Sequence, residues 1–165
     1  MEVKCCPNLK HLSFDGSYNA SEDAVLNIIR SCKRLQVIDF SDSPYVTEEV
    51  LEELGGNNCP CFRGIRRPGT ISSFQASAIA RNLPRLRLLN LSNTDLTDGG
   101  LSTILSGCLC LEYLDVRGCN FLKLGFHMIE RATTQIIEFL YDPDEGYYDD
   151  SGDWFKFDRS DSIYW

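Results

Sequence analysis

"LPRLRLLNLSNTDLTDGGLSTILSGCLCLEYLDVRGC", residues 83–119, states one apolar phrase twice. Leu86, Leu89 and Leu91 are answered 25 residues later by Leu111, Leu114 and Val116. Between the two statements lies "TDGGLSTIL", in which Thr97 is placed to cap a helix and Asp98 sits favourably in its first turn. Leu101, Ile104 and Leu105 then fall on one face at helical spacing. The unit predicted is a short strand, a turn, a helix and a return.

The same phrase can be followed along the whole chain. Its starts are Leu9, Leu35, Phe62, Leu86, Leu111 and Ile136, separated by 26, 27, 24, 25 and 25 residues. Apolar residues follow three and usually five positions later: Leu12 and Phe14, Ile38 and Phe40, Ile65 alone in a degenerate third copy, the two pairs above, and Phe139. Helical phrases recur as "SEDAVLNII" after Ser21 and "TEEVLEEL" after Thr47, the latter stopped by Gly55-Gly56. "SFQASAIA" and "GFHMIE" are weaker versions. A strand–helix period of about 25 residues is that of leucine-rich repeats. One unit cannot cover its own apolar face, so each copy is the wall against which the next one folds. The expected fold is an α/β leucine-rich-repeat solenoid over residues 1–141, with about six strand–helix repeats and a curved parallel sheet. An acidic aromatic C-terminal tail, residues 142–165, follows it.

Three residues before the starts stand Cys6, Cys32, Cys59, Leu83, Cys108 and Thr133, so four of the eight cysteines share one repeat position. A small soft side chain recurring there is expected to form a buried rung rather than a metal or redox site. The Cys-x-Cys pairs, Cys59/Cys61 and Cys108/Cys110, lack the usual zinc spacing. Cys119 is expected inside; Cys5, Cys61 and Cys110 fall off the rung and receive no role.

Composition narrows the function. Of 165 residues 43% are hydrophobic and 24% charged, which suits one globular domain. The formal net charge of −8 is uneven. Residues 1–141 hold sixteen acids and fourteen bases, whereas residues 142–165 hold eight and two. The body has no basic excess to meet nucleic acid, and no apolar run is long enough to cross a membrane. "MEVKCCP" lacks the apolar core of a signal peptide, so the expectation is the cytoplasm or nucleus and reduced cysteines. The sequons at Asn19 and Asn90 then read as chance matches.

In such a coil the residues between the strand leucines point out from the concave face. The central row is Ser13, Asp39, Arg66, Asn90, Asp115 and Leu140. One flank is His11, Val37, Gly64, Leu88, Tyr113 and Glu138; the other is Asp15, Ser41, Pro68, Ser92, Arg117 and Asp142. Acid, base, amide and aromatic side chains in this mixture suit protein recognition better than a small-molecule pocket. The candidate partner-binding residues are Asp39, Arg66, Asn90, Tyr113, Asp115 and Arg117, against the alternative that each is merely a solvated strand position. Arg66 and Asp39 either face a partner together or neutralise one another locally.

The third copy, "CFRGIRRPGTISSFQ", is irregular. Pro68 and Gly69 interrupt the strand pattern and are expected to place Arg63, Arg66 and Arg67 on a loop, as a grip for an acidic ligand or as a decaying repeat. No catalytic set surrounds His11 or His127, and Gly55-Gly56 and Gly99-Gly100 match no phosphate loop. No enzyme activity, cofactor or metal is expected. The tail carries Tyr147, Tyr148, Trp154, Phe155, Phe157, Tyr164 and Trp165 among its acids. Its charge and lack of period suggest disorder. Its aromatics also allow it to fold over the open end of the last repeat, or to serve as a partner motif.

"SEDAVLNIIRSCKRLQVIDFSDSPYVTEEVLEELGGNNCP", "LPRLRLLNLSNTDLTDGGLSTILSGCLCLEYLDVRGCNF" and the acidic, Tyr-rich end resemble the plant F-box/leucine-rich-repeat proteins, cysteine-containing type, over nearly the whole chain. In that family an F-box docks onto Skp1 and hence a cullin ubiquitin ligase, while the repeats hold a protein substrate. The resemblance implies a substrate-recognition arm of an SCF (Skp1–cullin–F-box) ligase. It implies Skp1 and cullin as partners only if a longer form carries the F-box, because Met1 stands almost directly on a repeat and leaves it no room. The alternative is a stand-alone repeat module that binds partners without delivering them for ubiquitination.

Overall fold

The chain turns through one strand and one helix per repeat, as the leucine period requires. In a computed structural model that describes residues 6–14, 21–41 and 46–142, the strands are β1 (His11–Ser13), β2 (Val37–Asp39), β3 (Gly64–Arg66), β4 (Leu88–Asn90), β5 (Tyr113–Asp115) and β6 (Glu138–Leu140). The helices between them are α1 (Glu22–Ser31), α2 (Glu48–Gly55), α3 (Ser73–Asn82), α4 (Asp98–Gly107) and α5 (Phe126–Gln135). Cys5, Asp15, Asn19 and residues 143–165 of the tail lie outside the described residues.

All six strands form one parallel sheet in chain order. Ser13, Asp39, Arg66, Asn90, Asp115 and Leu140 pair successively, so the expected central row is a true row across the sheet. Backbone bonds continue it: Phe14, Phe40, Arg67, Leu91 and Val116 each donate an N–H to the row carbonyl of the next coil at 2.8–3.0 Å. A helix is about 10 Å across and parallel strands are about 4.8 Å apart, so stacked units bend with the sheet on the inside.

Each of the first four helices starts on a hydroxyl. Ser21, Thr47, Ser72 and Thr97 accept the N–H of Ala24, Val50, Gln75 and Gly100 respectively. The third helix is not the weak one expected: Ser72 and Gln75 form a reciprocal capping box, and ten residues follow. The fifth begins on Gly125 with no side-chain cap. Tight stacking sets residue size where α3 meets α4. A Cβ on Gly107 would lie 2.5 Å from the Ala80 carbonyl oxygen, closer than any carbon is tolerated.

Leu35, Leu86, Leu111 and Ile136, with Ile38, Ile65, Leu89 and Leu114, are buried in one continuous core. The cysteine rung holds in the middle and fails at both ends. Cys32, Cys59, Leu83 and Cys108 are buried, whereas Cys6 and Thr133 are exposed. Cys6 stands on the first coil, and α5 runs on past Thr133 to Gln135, which shifts the inward positions to Ala132 and Ile136. The thiols also act as weak donors at helix ends. Cys59 Sγ reaches the Ile29 carbonyl at 3.5 Å and Cys108 Sγ the Ile79 carbonyl at 4.0 Å, each one coil back. Burial pushes Cys59 up to about 11 and Cys108 up to about 12. Cys119 is buried against Thr94 Oγ1 at 3.2 Å, as expected, while Cys61 and Cys110 are exposed.

The third copy corrects the sequence reading. Arg66 is the last residue of β3 and so is not on a loop, while Arg63 lies in the connection immediately before that strand. Arg67 is buried in the interior ladder, at the position that Phe14, Phe40, Leu91 and Val116 occupy in their coils. Its Nη2 donates to the Thr70 carbonyl at 2.9 Å. Desolvation lowers its pKa and Asp95 opposes that shift. Gly69 does not break the repeat either. It stands at φ +96°, at the same repeat position as Asn93 (φ 57°) and Gly118 (φ 73°), where coils three to five make a left-handed turn.

Candidate concave recognition surface

The concave face is built from residues that serve the coil first. At the ends of β2, β4 and β5 the row side chain is offered a backbone N–H two residues on. Asp39 Oδ1 accepts from Ser41 N at 2.8 Å, Asn90 Oδ1 from Ser92 N at 2.9 Å, and Asp115 Oδ1 from Arg117 N at 3.1 Å. This is an Asx turn repeated at one register. In the third coil the residue two on is Pro68, which has no N–H. The row there carries Arg66, which turns sideways and binds Asp39 Oδ2 at 2.9 Å. The Asp39–Arg66 pair therefore exists, and it neutralises charge between neighbouring strands.

The fifth coil carries the strongest pair. Arg117 Nε and Nη2 meet Asp115 Oδ1 and Oδ2 at 3.0 and 2.7 Å, a two-pronged contact of the kind that favours Arg over Lys. Tyr113 OH reaches Asp115 Oδ2 at 3.5 Å. Hydrogen bonding to Asp115 raises the Arg117 pKa further above its ordinary value. The Asp115 side chain is 2% exposed and that of Arg117 is 49% exposed. The arginine is therefore what the surface shows, and the aspartate is what aims it.

Of the six candidate residues, Asn90, Tyr113 and Asp115 are buried and Asp39 is half-buried. Arg66 and Arg117 stand out. Beside them runs an apolar line, Val37, Leu88 and Tyr113, continuous because Gly64 leaves room for its neighbours. A Cβ on Gly64 would lie 3.1 Å from Val37 Cγ2 and 3.2 Å from Leu88 Cβ. Two cations above an apolar floor suit a polypeptide with acidic and apolar side chains.

Sequence reading passed over a fourth row, one residue before each strand's first outward position. Arg63 Nη2 donates to Gln36 Oε1 at 3.3 Å, and Arg87 pairs with Glu112. The signal was available, since every one of these residues stands one after a repeat start. Among the described residues no three His, Cys, Asp or Glu side chains are grouped to hold a metal ion, and no helix is long and apolar enough to cross a membrane. His11 and His127 are exposed, the latter 3.8 Å from Glu130.

Strand-by-strand stacking, a buried leucine ladder and a cysteine rung define a leucine-rich-repeat protein of the cysteine-containing type. Its homologues are plant F-box/leucine-rich-repeat proteins. Over 138 residues it is 28% identical to the F-box protein SKIP1 of Arabidopsis thaliana, a match covering 72% of this chain and 46% of that protein. The putative F-box/LRR-repeat protein 23 of the same plant is 31% identical over 137 residues, covering 78% of this chain and 30% of the relative. The chain thus spans half or less of the length of the curated relatives it matches. No family model matches it. Among solved structures, the yeast Rad7 and Elc1 complex superposes with a TM-score of 0.58 at 20% identity, over 69% of this chain and 29% of that one, a likeness of fold.

Proposed function

We propose that this chain is the substrate-holding repeat arm of an SCF-type ubiquitin-ligase receptor, working in the cytoplasm or nucleus and performing no chemistry itself. The observation that carries the reading is the homology to F-box proteins over most of the chain, joined to a concave face on which Arg66 and Arg117 stand exposed. Arg66 and Arg117 provide the charged grip, Val37, Leu88 and Tyr113 the apolar floor, and Asp39, Asn90 and Asp115 hold the row in shape. Skp1 and cullin are reached through an F-box carried by a longer form, not through these coils.

The test is to express residues 1–165 with an affinity tag in plant cells, crosslink, and identify captured proteins. Arg66→Gln with Arg117→Gln removes both cations without placing new carboxylates beside Asp39 and Asp115. The parent is expected to capture a protein that the double variant releases. That protein's half-life is expected to lengthen when the parent chain is over-expressed, because it is withheld from receptors that carry the F-box. Capture indifferent to the double variant rejects the concave grip. Capture with no change in half-life rejects the ligase role and leaves a plain binding module.

A further inference from the structure

Positive charge is sorted to one edge of the solenoid. The returns from helix to strand, residues 32–36, 56–63 and 83–87, with Lys10 before β1, hold Lys10, Lys33, Arg34, Arg63, Arg85 and Arg87 and no acid. All six residues are exposed. The backbone aligns them. The carbonyls of Lys10, Gln36, Arg63 and Arg87 each accept the N–H of the matching residue one coil on, at 2.8–2.9 Å, so Lys10, Gln36, Arg63, Arg87 and Glu112 form a row. Arg34 and Arg85 hold one position of a shared turn, closed by Leu35 N–H on the Cys32 carbonyl and by Leu86 N–H on the Leu83 carbonyl, both at 3.0 Å. Lys33 Nζ reaches across to Asn58 Oδ1 of the next return at 3.0 Å.

Helix dipoles do not account for this edge. They favour a cation in the last helical turn, and Arg30 and Arg81 hold those places, each on a carboxylate. The six edge bases lie past the helix ends. Among the described residues only Arg87 of the six has a carboxylate partner, Glu112. Arg66 and Arg117 are the opposite case, held on Asp39 and Asp115. The uncompensated positive field therefore runs beside the concave row, not along it.

We infer that this edge seats an acidic stretch of a partner polypeptide, laid across coils one to four. It rests on the reading of the chain as a protein-binding arm only in taking the occupant for a polypeptide. Lys10 and Arg87 are three strand spacings apart, about 14 Å, the reach of roughly four extended residues. Coil five presents Glu112 at the row position, so a long phosphate backbone finds no continuing track. The large exposed aromatics on which bases would stack, Phe74, Phe121 and Phe126, stand at or before helix N-termini, whereas this edge follows helix C-termini. A cleft of about 80 Å³ opens here between coils three and four, lined by Leu54, Phe62, Leu83 and Leu86 with Arg85. Asn82 also lines it, with Nδ2 buried and no acceptor among the described residues. One apolar side chain of an acidic segment suits the cleft, and a carbonyl or carboxylate of that segment supplies the acceptor.

The probe is a fluorescein-labelled peptide of glutamate, leucine and glycine, titrated with the full chain and read by anisotropy. A lysine counterpart, oligothymidylate and phosphatidylserine vesicles are run beside it. The glutamate peptide is expected to bind and to weaken several-fold as salt is raised, while the lysine peptide stays free. Arg34→Gln, Arg63→Gln and Arg85→Gln together, all at exposed sites, should weaken it by about tenfold or more with far-UV circular dichroism unchanged. Arg34→Lys, Arg63→Lys and Arg85→Lys together should keep most of the binding. Arg66→Gln with Arg117→Gln should leave the peptide bound. Failure of the glutamate peptide to bind, or binding that survives the glutamine variant, overturns the inference. Loss in the concave variant alone moves the acidic segment to the concave face, which overturns the edge and spares the proposed recognition role. Tighter binding of oligothymidylate or of the vesicles assigns the edge to nucleic acid or to a membrane surface and overturns it as well.

Discussion

Arg117 lies along the carboxylate of Asp115, two residues away, and accounts for three of the hydrogen bonds that Asp115 accepts. One backbone N–H closes the turn, and two guanidinium N–H groups fix the arginine. Asp115→Asn keeps an oxygen for the turn and loses the charge-assisted fork. Asp115→Ala loses both and leaves the Arg117 N–H without its acceptor. The expected costs are about 1 kcal/mol for the first and about 2–3 kcal/mol for the second, read by urea denaturation. Equal costs would mean that the turn contributes nothing.

Arg67 occupies an interior position between the coils of Phe40 and Leu91. Arg67→Met restores an apolar rung of similar length, and replacing a buried charge in this way is commonly neutral or stabilising by about 1–4 kcal/mol. Arg67→Glu places a carboxylate in the same space, near Asp95, and should destabilise strongly. Thermal melts of the two variants should move apart. A methionine variant that melts well below the parent would show that the guanidinium is indispensable.

Leu89 and Leu114 are fully buried and adjacent across β4 and β5. Either leucine replaced by alanine should cost about 2–5 kcal/mol, with the loss spreading to the coils on both sides. Hydrogen exchange can check the spread. Faster exchange confined to the substituted strand would contradict shared walls.

The rung cysteines should make the fold sensitive to alkali. In the folded chain Cys59 is pushed up to about 11 and Cys108 to about 12, whereas the ordinary thiol value is 9.0. Above the ordinary value the unfolded chain gives up its thiol protons while the folded chain keeps them. Stability is therefore full below pH 9 and falls as pH rises through about 11 for Cys59 and about 12 for Cys108. Urea midpoints should drop across that window, and Cys108→Ala should flatten the slope. At neutral pH, alkylation read by mass spectrometry should mark exposed Cys61 and Cys110 quickly, and buried Cys32, Cys59, Cys108 and Cys119 only on unfolding.

Period and register were legible because one spacing is repeated six times and each copy checks the others. The row Ser13 to Leu140 follows from counting alone. Burial within the row was not legible. Outward alternation puts Asp115 on the surface, but whether it stays wet depends on the long side chain two residues later, which lies down over it. Arg67 was misplaced because Pro68-Gly69 reads as a break. Here Gly69 makes the same left-handed turn as Asn93 and Gly118, and proline stands where the turn N–H is not needed. The strength of α3 was missed because its cap is the second residue of an "ISSFQ" stretch, whose box becomes clear only once Ser72 is known to precede the first turn.

The most direct test of coil-on-coil stacking is a set of methyl–methyl NOEs among Ile38, Ile65, Leu89 and Leu114, the inward residues of four neighbouring strands. Each should contact only the next, at strand spacing. A cross-peak joining Ile38 to Leu114, three strands and about 14 Å apart in a stack, would contradict it.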